Sequence, residues 1–255
     1  MLKVELGNTN LHVSKLALGT GTNGWGNSSE QTRKGPDWLV EHLKQGYQLG
    51  INFWDLADGY GSHAYARRAL ASLNRDEIVI ATKTSSQDEL TCRDAVNRFL
   101  KELDTDYLDI LLLHGKKSDD WNITYRPAMN VLSEFKDKGL VKAVGISCHG
   151  LDALKVAAKE SWVDVILARV NYADIRMDAS TEQVLPVLQT AYNNGKGIYA
   201  MKVLGCGPLA DNPDKAIRYI MNLDCIHAMT IGHTEDAQLG QNVAIIEHLS
   251  GHSSS

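Results

Sequence analysis

Short apolar runs alternate with longer amphipathic stretches along the whole chain. Eight runs, rich in Val, Ile, Leu and Ala, are typical of strands that are buried on both faces of a parallel sheet. They span residues 15–20, 51–55, 78–83, 107–114, 141–147, 163–170, 197–203 and 227–232. Successive runs begin about 20 to 40 residues apart, which leaves room for one helix and two short loops.

The stretches between the runs predict helices. Leu39, Leu43 and Tyr47 recur at the spacing of a single helix face. Asn212 before Pro213 predicts an N-cap followed by a proline in the first turn. Eight strands that alternate with helices indicate either a TIM barrel or an open, doubly wound sheet.

The number and even spacing of the runs favour a (β/α)8 TIM barrel, and no Gly-x-Gly-x-x-Gly motif follows an early run. Residues 4–13, VELGNTNLHV, predict a β-hairpin with its turn at Gly7 and Asn8. We expect this hairpin to close the N-terminal end, or bottom, of the barrel. We expect one domain over residues 1–255.

Composition narrows the functional classes. The chain has 255 residues, 44% of them hydrophobic, and a formal net charge of −5. A mean hydropathy of −0.23, the absence of a long apolar run and a start without a secretory pattern argue against a membrane or secreted protein. The lack of a Lys/Arg block argues against nucleic acid as a partner.

The four cysteines are far apart in the sequence and form no Cys-x-x-Cys pair. They are Cys92, Cys148, Cys206 and Cys225. This spacing argues against a metal cluster or a disulfide framework. It favours reduced thiols in a cytoplasmic protein that holds no metal.

Polar residues close three consecutive apolar runs. Asp55 ends the second run, with Tyr60 five residues further on, Lys83 ends the third and His114 ends the fourth. Such groups are costly at the end of a buried strand unless they are paired or functional. Since chemistry in TIM barrels is placed at the carboxyl ends of the strands, these residues predict one shared catalytic site.

These segments, INFWDLADGYG, IVIATK and LLLH, resemble the signature segments of the aldo-keto reductases. The likeness extends from LGNTNLHVSKLALGT near the start to TIGHTEDAQLGQN near the end. The resemblance implies reduction of a carbonyl group with a nicotinamide cofactor. In it Tyr60 is the general acid, and Lys83, paired with Asp55, lowers the pKa of Tyr60. His114 donates a hydrogen bond to the carbonyl oxygen and orients the substrate.

The resemblance also implies a cofactor, NADPH, extended across the mouth of the barrel. NADH is possible because TIGHTEDAQLGQN offers Glu235 and Asp236 but no Lys or Arg for a 2′-phosphate. Cys148, Arg169 and Met201 stand where the family usually has Asn, Gln and an aromatic residue. The N-terminal amides of the last helix are candidates for binding an anion. The predicted cofactor contacts are Gly21, Thr22, Asp55, Ser147, Cys148, Arg169, Met201, Lys202, Leu204, Gly205, Gly232, His233, Thr234, Gln238, Gln241 and Asn242.

The predicted substrate is a small or medium-sized aldehyde, ketone or sugar. Trp25 and Trp121 are candidates to wall its pocket together with Tyr60 and His114, although either tryptophan could equally pack between the barrel and a helix. Two alternatives stay open at this point. One is a Schiff-base aldolase with Lys83 or Lys202 as nucleophile, and the other is a nicotinamide-binding regulatory subunit with little turnover.

Overall fold

The computed structural model describes residues 1–251, which form ten strands and ten α-helices. The strands are β1 (Lys3–Glu5), β2 (His12–Ser14), β3 (Leu16–Gly19), β4 (Phe53–Asp55), β5 (Val79–Thr84), β6 (Leu108–Lys116), β7 (Val141–Cys148), β8 (Val165–Arg169), β9 (Gly197–Met201) and β10 (Ala228–Ile231). The helices are α1 (Glu30–Arg33), α2 (Pro36–Gln48), α3 (His63–Leu70), α4 (Glu89–Leu103), α5 (Trp121–Thr124), α6 (Arg126–Asp137), α7 (Leu151–Ala157), α8 (Thr181–Asn193), α9 (Pro213–Met221) and α10 (Asp236–Gly251).

Strands β3 to β10 close into a barrel in chain order, with β10 pairing with β3. Every neighbouring pair in the barrel is parallel. Each of the eight apolar runs overlaps one of these strands, with ends that agree to within two residues, so the predicted TIM barrel is confirmed. Because all strands run the same way, their carboxyl ends and the following loops gather at one face.

An N-terminal hairpin closes the opposite face. β1 and β2 pair antiparallel, and Leu6, Leu11 and Val13 are buried with the side chains of the barrel interior. Gly7 has a φ of +54°, and a Cβ there would lie 2.3 Å from the backbone nitrogen of Gly197, at the start of β9. This turn therefore requires glycine, and the predicted hairpin at the bottom of the barrel is confirmed.

Alternation along the strands builds two hydrophobic layers. In β4, Phe53 points into the barrel interior and Trp54 into the layer between the barrel and the helices. Asn212 caps α9 by accepting a hydrogen bond from the backbone N–H of Lys215 at 3.1 Å, as predicted. Among residues 1–251, no helix combines the length and the apolar character that a membrane crossing needs.

Candidate active site

Four polar side chains meet at the carboxyl ends of β4, β5 and β6. Lys83 Nζ donates to Asp55 Oδ1 and to the backbone oxygen of Leu56, both at 2.7 Å. The same ammonium lies 5.1 Å from the centroid of the Tyr60 ring. The Tyr60 hydroxyl lies 3.4 Å from Nε2 of His114. The structure thus gathers the four residues that the strand ends predicted to share a site.

Two residues that sequence reasoning missed complete the surroundings of Asp55. Tyr199 donates its hydroxyl to Asp55 Oδ1 at 3.0 Å, and Thr230 donates to Oδ2 at 3.3 Å. Both lie within apolar runs of the sequence. A polar side chain on the inward-facing side of a strand is the pattern that could have identified them as site residues. The side chains of Lys83 and Asp55 are only 0% and 7% exposed. Such a buried ion pair needs these extra hydrogen bonds to offset the loss of water.

The proton on Tyr60 is held more firmly than the sequence predicts. Burial raises the pKa of Tyr60 well above its usual value, and nearby Asp55 and Cys206 act in the same direction. The positive charge of Lys83 does not bring this pKa below its usual value, because burial and the negative charge of Asp55 outweigh it. Tyr60 therefore carries its proton at neutral pH, which is the form a proton donor needs.

His114 is uncharged in the site. Burial lowers the pKa of His114 to about 3, and the positive charge of Lys83 adds to the effect. A neutral imidazole has one N–H donor and one acceptor nitrogen. His114 can therefore donate a hydrogen bond to a substrate oxygen while it stays neutral.

The Tyr60 ring packs directly against two glycines in the loop after β3, in the space that their side chains would otherwise occupy. A Cβ at Gly21 would lie 2.1 Å from Cε2 of Tyr60, and one at Gly24 would lie 2.5 Å from Cδ1. Any side chain at either position must displace the ring. The loop and the tyrosine thus form one packed unit.

We expect Gly21→Ala to lower kcat about 100-fold, since a displacement of about 1 Å costs this much in a positioned site. The measurement is the steady-state kcat together with the urea midpoint of unfolding. Gly59→Ala is the matched control, because a Cβ at Gly59 meets nothing within 4 Å. An activity of Gly21→Ala equal to that of Gly59→Ala would contradict the packing argument.

A groove that is partly open to solvent leads away from Tyr60. It runs between the loops that follow β3, β9 and β10. Glu30, Leu167 and Cys206 line it without having been predicted. The predicted cofactor contacts that line it are Gly21, Thr22, Asp55, Met201, Lys202, Leu204, Gly232, His233, Thr234, Gln238, Gln241 and Asn242.

Four predicted cofactor contacts lie outside the groove lining: Ser147, Cys148, Arg169 and Gly205. Cys148 is fully buried in the layer between barrel and helices, so its side chain does not face the groove. The reason is strand alternation, which turns its side chain outward. Arg169 instead forms an ion pair with Asp178.

Ser147 is a different case. Its neighbour in the β7–β8 register is Leu167, which lines the groove. The Ser147 side chain is fully buried, and within the described part of the chain its hydroxyl has no hydrogen-bond partner. Buried hydroxyls are normally satisfied, so this one is suited to a polar group of a bound molecule.

The side-chain amides of Gln31 and Gln238 form hydrogen bonds with the loops that line the groove near α10. Gln31 Nε2 donates to Thr22 Oγ1 at 2.9 Å and to the backbone oxygen of His233 at 3.0 Å. Gln238 Oε1 accepts from the backbone N–H groups of Thr234 and Glu235 at 2.9 and 3.2 Å. The amides of Thr234 and Glu235, just before α10, are therefore paired within the chain, and anion binding by the N-terminal amides of α10 itself stays a prediction.

The two predicted tryptophans lie in different environments. Trp121 is 1% exposed, and its indole N–H donates to the backbone oxygen of Ala153 at 3.2 Å. It packs in the core between barrel and helices, which is the alternative that the sequence left open for it, and it does not line the groove. Trp25 is 88% exposed and follows Gly24 in the loop against Tyr60, so its contact with substrate stays a prediction.

A closed parallel barrel with a proton donor at its carboxyl face, beside a long groove, defines a TIM-barrel enzyme. The model of the aldo/keto reductase family matches residues 15–223, and the chain belongs to that family.

Relatives and solved structures agree with this assignment. The chain is 28% identical to a D-threo-aldose 1-dehydrogenase from Pseudomonas sp., over 78% of this chain and 69% of that protein. It is 24% identical to an NADH-specific methylglyoxal reductase from Escherichia coli, over 73% of this chain and 63% of that protein. The holo form of an aldo-keto reductase from Bacillus halodurans superimposes with a TM-score of 0.81 and 22% identity, over 97% of this chain and 91% of that chain.

Proposed function

We propose that this protein reduces the carbonyl group of a small molecule to an alcohol, using a nicotinamide dinucleotide. The observation that carries the proposal is the protonated Tyr60 hydroxyl, placed between Lys83 and His114 where the groove ends. Carbonyl reduction needs a proton donor at this point, next to the site of a hydride donor.

The groove fits the cofactor by its chemistry. Ser147 would offer its unpartnered hydroxyl to the carboxamide, and Met201, which lines the groove, would offer a thioether to the ring face. Lys202 and the glycines after β3 and β10 line the groove and would hold the pyrophosphate. The reduced nicotinamide, when bound, supplies the hydride.

The residues of the chain supply the proton and hold the substrate. The substrate oxygen accepts hydrogen bonds from the Tyr60 hydroxyl and from His114. As negative charge develops on that oxygen, the Tyr60 proton moves to it. The resulting tyrosinate faces the Lys83 ammonium, which stabilises its charge. Asp55 holds the ammonium in place.

The contacts of Lys83 argue against an aldolase. Its amine is fully buried and donates to a carboxylate and to a backbone oxygen. A Schiff-base lysine must instead be unprotonated and reachable by the substrate. Lys202 does line the groove. If Lys202 were the Schiff-base nucleophile, however, the arrangement of Tyr60, Lys83 and His114 would have no role in the reaction.

The polarity of the far end of the groove bears on the choice between NADPH and NADH. Glu235 follows the groove residue Thr234 and pairs with Lys34 at 3.1 Å, and Asp236 accepts from Trp38 at 2.7 Å. These carboxylates repel a 2′-phosphate and occupy Lys34. We therefore propose that NADH binds at least as tightly as NADPH.

Titration of tryptophan fluorescence with each cofactor, alongside an assay of aldehyde reduction, tests both proposals. We expect Glu235→Gln to shift the ratio of the two dissociation constants about threefold toward NADPH, the size typical of one exposed charge. Glu41→Gln is the matched control, since Glu41 forms a similarly exposed pair with Lys44. Failure of wild-type protein to bind either cofactor would refute the reductase proposal.

We also propose a class of substrate and a cellular location for this protein. The substrate is a small carbonyl compound, in line with the names of the aldose and methylglyoxal relatives. We place the protein in the cytoplasm, because the four cysteines of the described residues are all unpaired thiols.

A further inference from the structure

A second polar cluster lies beside His114, and the proposed proton transfer does not use it. Arg169, at the end of β8, donates from Nη2 to Nδ1 of His149 at 2.9 Å. Its Nη1 forms an ion pair with Asp178 at 2.8 Å. The His149 ring lies 6.1 Å from the His114 ring, centroid to centroid, with the planes at 81°. The cluster thus extends the active site on the side of His114.

The contact with Arg169 fixes where His149 carries its proton. A guanidinium only donates, so Nδ1 of His149 must accept, and the neutral ring then has its N–H at Nε2. Burial, reinforced by the positive charges of Arg169 and Lys202, lowers the pKa of His149 to about 3. His149 is half-buried, and none of residues 1–251 forms a hydrogen bond with Nε2. An oriented N–H donor is therefore available beside His114.

The charge balance of the cluster indicates what this donor binds. Asp178 has a side chain only 10% exposed and neutralises the Arg169 guanidinium. A carboxylate on the substrate would have to compete with Asp178 for that cation. A neutral hydroxyl or carbonyl oxygen can instead accept from His149 Nε2 with no rearrangement. The cluster is thus complementary to an uncharged oxygen.

We propose that His149 binds a second, uncharged oxygen on the carbon next to the reacting carbonyl, with Arg169 and Asp178 as positioning residues. His114 donates to the reacting oxygen and His149 to its neighbour. The substrate class is then α-hydroxy aldehydes and ketones, and 1,2-dicarbonyl compounds. This inference rests on the proposed reductase function and specifies which carbonyl compounds the enzyme prefers.

The test compares two aldehydes that differ by one hydroxyl group, lactaldehyde and propanal. Wild-type protein is expected to show the higher kcat/KM with lactaldehyde. His149→Leu is expected to lower the lactaldehyde-to-propanal ratio of kcat/KM about 10-fold, the value of one well-placed hydrogen bond, and His149→Asn to restore part of it. Lys117→Met is the control, because it removes an exposed charge near His149 and leaves the donor in place.

The outcomes separate this inference from the reductase proposal. Reduction of both aldehydes at equal kcat/KM, or an unchanged ratio in His149→Leu, overturns the inference and leaves the reductase proposal standing. A higher kcat/KM for glyoxylate than for lactaldehyde also overturns it, because the site would then prefer an anion. Reduction of neither aldehyde by wild-type protein overturns both.

A spectroscopic measurement checks the positioning role. Ring 15N shifts in histidine-labelled protein should show His149 as the Nε2–H tautomer. The double variant Arg169→Met/Asp178→Asn removes both charges together, so that neither is left unpaired. We expect it to give a mixture of tautomers and a lower lactaldehyde-to-propanal ratio. An Nδ1–H tautomer in wild-type protein contradicts the assignment.

Discussion

Tyr60→Phe is expected to lower kcat for carbonyl reduction by about 10²- to 10⁴-fold, the range that a general acid contributes. The substitution removes the hydroxyl and keeps the ring that packs against Gly21 and Gly24. The shape of the site is therefore preserved while its proton donor is lost. Cofactor binding, followed by tryptophan fluorescence, should change little.

Tyr47→Phe is the matched control. It makes the same chemical change at a hydroxyl that donates a hydrogen bond to Glu77, and neither Tyr47 nor Glu77 lines the groove. We expect this variant to keep wild-type kcat. If Tyr60→Phe kept most of its activity, Tyr60 would not be the proton donor and the proposed mechanism would be wrong.

Lys83→Met is expected to lower both activity and stability. It leaves the Asp55 carboxylate buried without its ammonium, and breaking a buried ion pair costs about 3–5 kcal/mol. The unbalanced Asp55 charge, already one cause of the raised pKa of Tyr60, would raise it further. A weaker acid gives a slower proton transfer, and we expect a loss of kcat of about 100-fold.

The double variant Asp55→Asn/Lys83→Met separates these two effects. Removing both charges leaves no buried ion, so we expect most of the lost unfolding free energy to return. Activity should stay low, because the ammonium that stabilises the tyrosinate is still absent. Urea denaturation and the pH dependence of kcat are the two measurements. A stability loss below about 1 kcal/mol in Lys83→Met, or an unchanged pH profile, would contradict the coupling of the three groups.

The sequence alone determined the barrel. Parallel strands that are buried on both faces need continuous apolar residues, and eight such runs stand in the chain at helix-length intervals. Polar residues that close these runs carry a cost unless they are used. For this reason the order of residues was enough to assign Asp55, Lys83 and His114 to one site, and their neighbour Tyr60 with them. The hairpin at residues 4–13 followed from its turn residues in the same way.

Other features depend on contacts between residues distant in the chain, which no local pattern records. The outward direction of Cys148 and the burial of Trp121 follow from strand register and helix packing. Tyr199 and Thr230 lie on β9 and β10, the last two strands of the barrel, whereas Asp55 lies on β4. Their hydrogen bonds to Asp55 form only because the barrel closes, which pairs β10 with β3, the neighbour of β4.

The electrostatics of the site were likewise decided by the tertiary structure. Sequence reasoning could place Lys83 near Tyr60, but the pKa of Tyr60 depends on burial and on the Asp55 charge that balances Lys83. The donor on His149 depends on Arg169, twenty residues away along the chain. Sequence thus brought Asp55, Tyr60, Lys83 and His114 together at the barrel mouth. Only the closed fold decided their protonation and their partners, because both depend on distances of a few ångströms and on the exclusion of water.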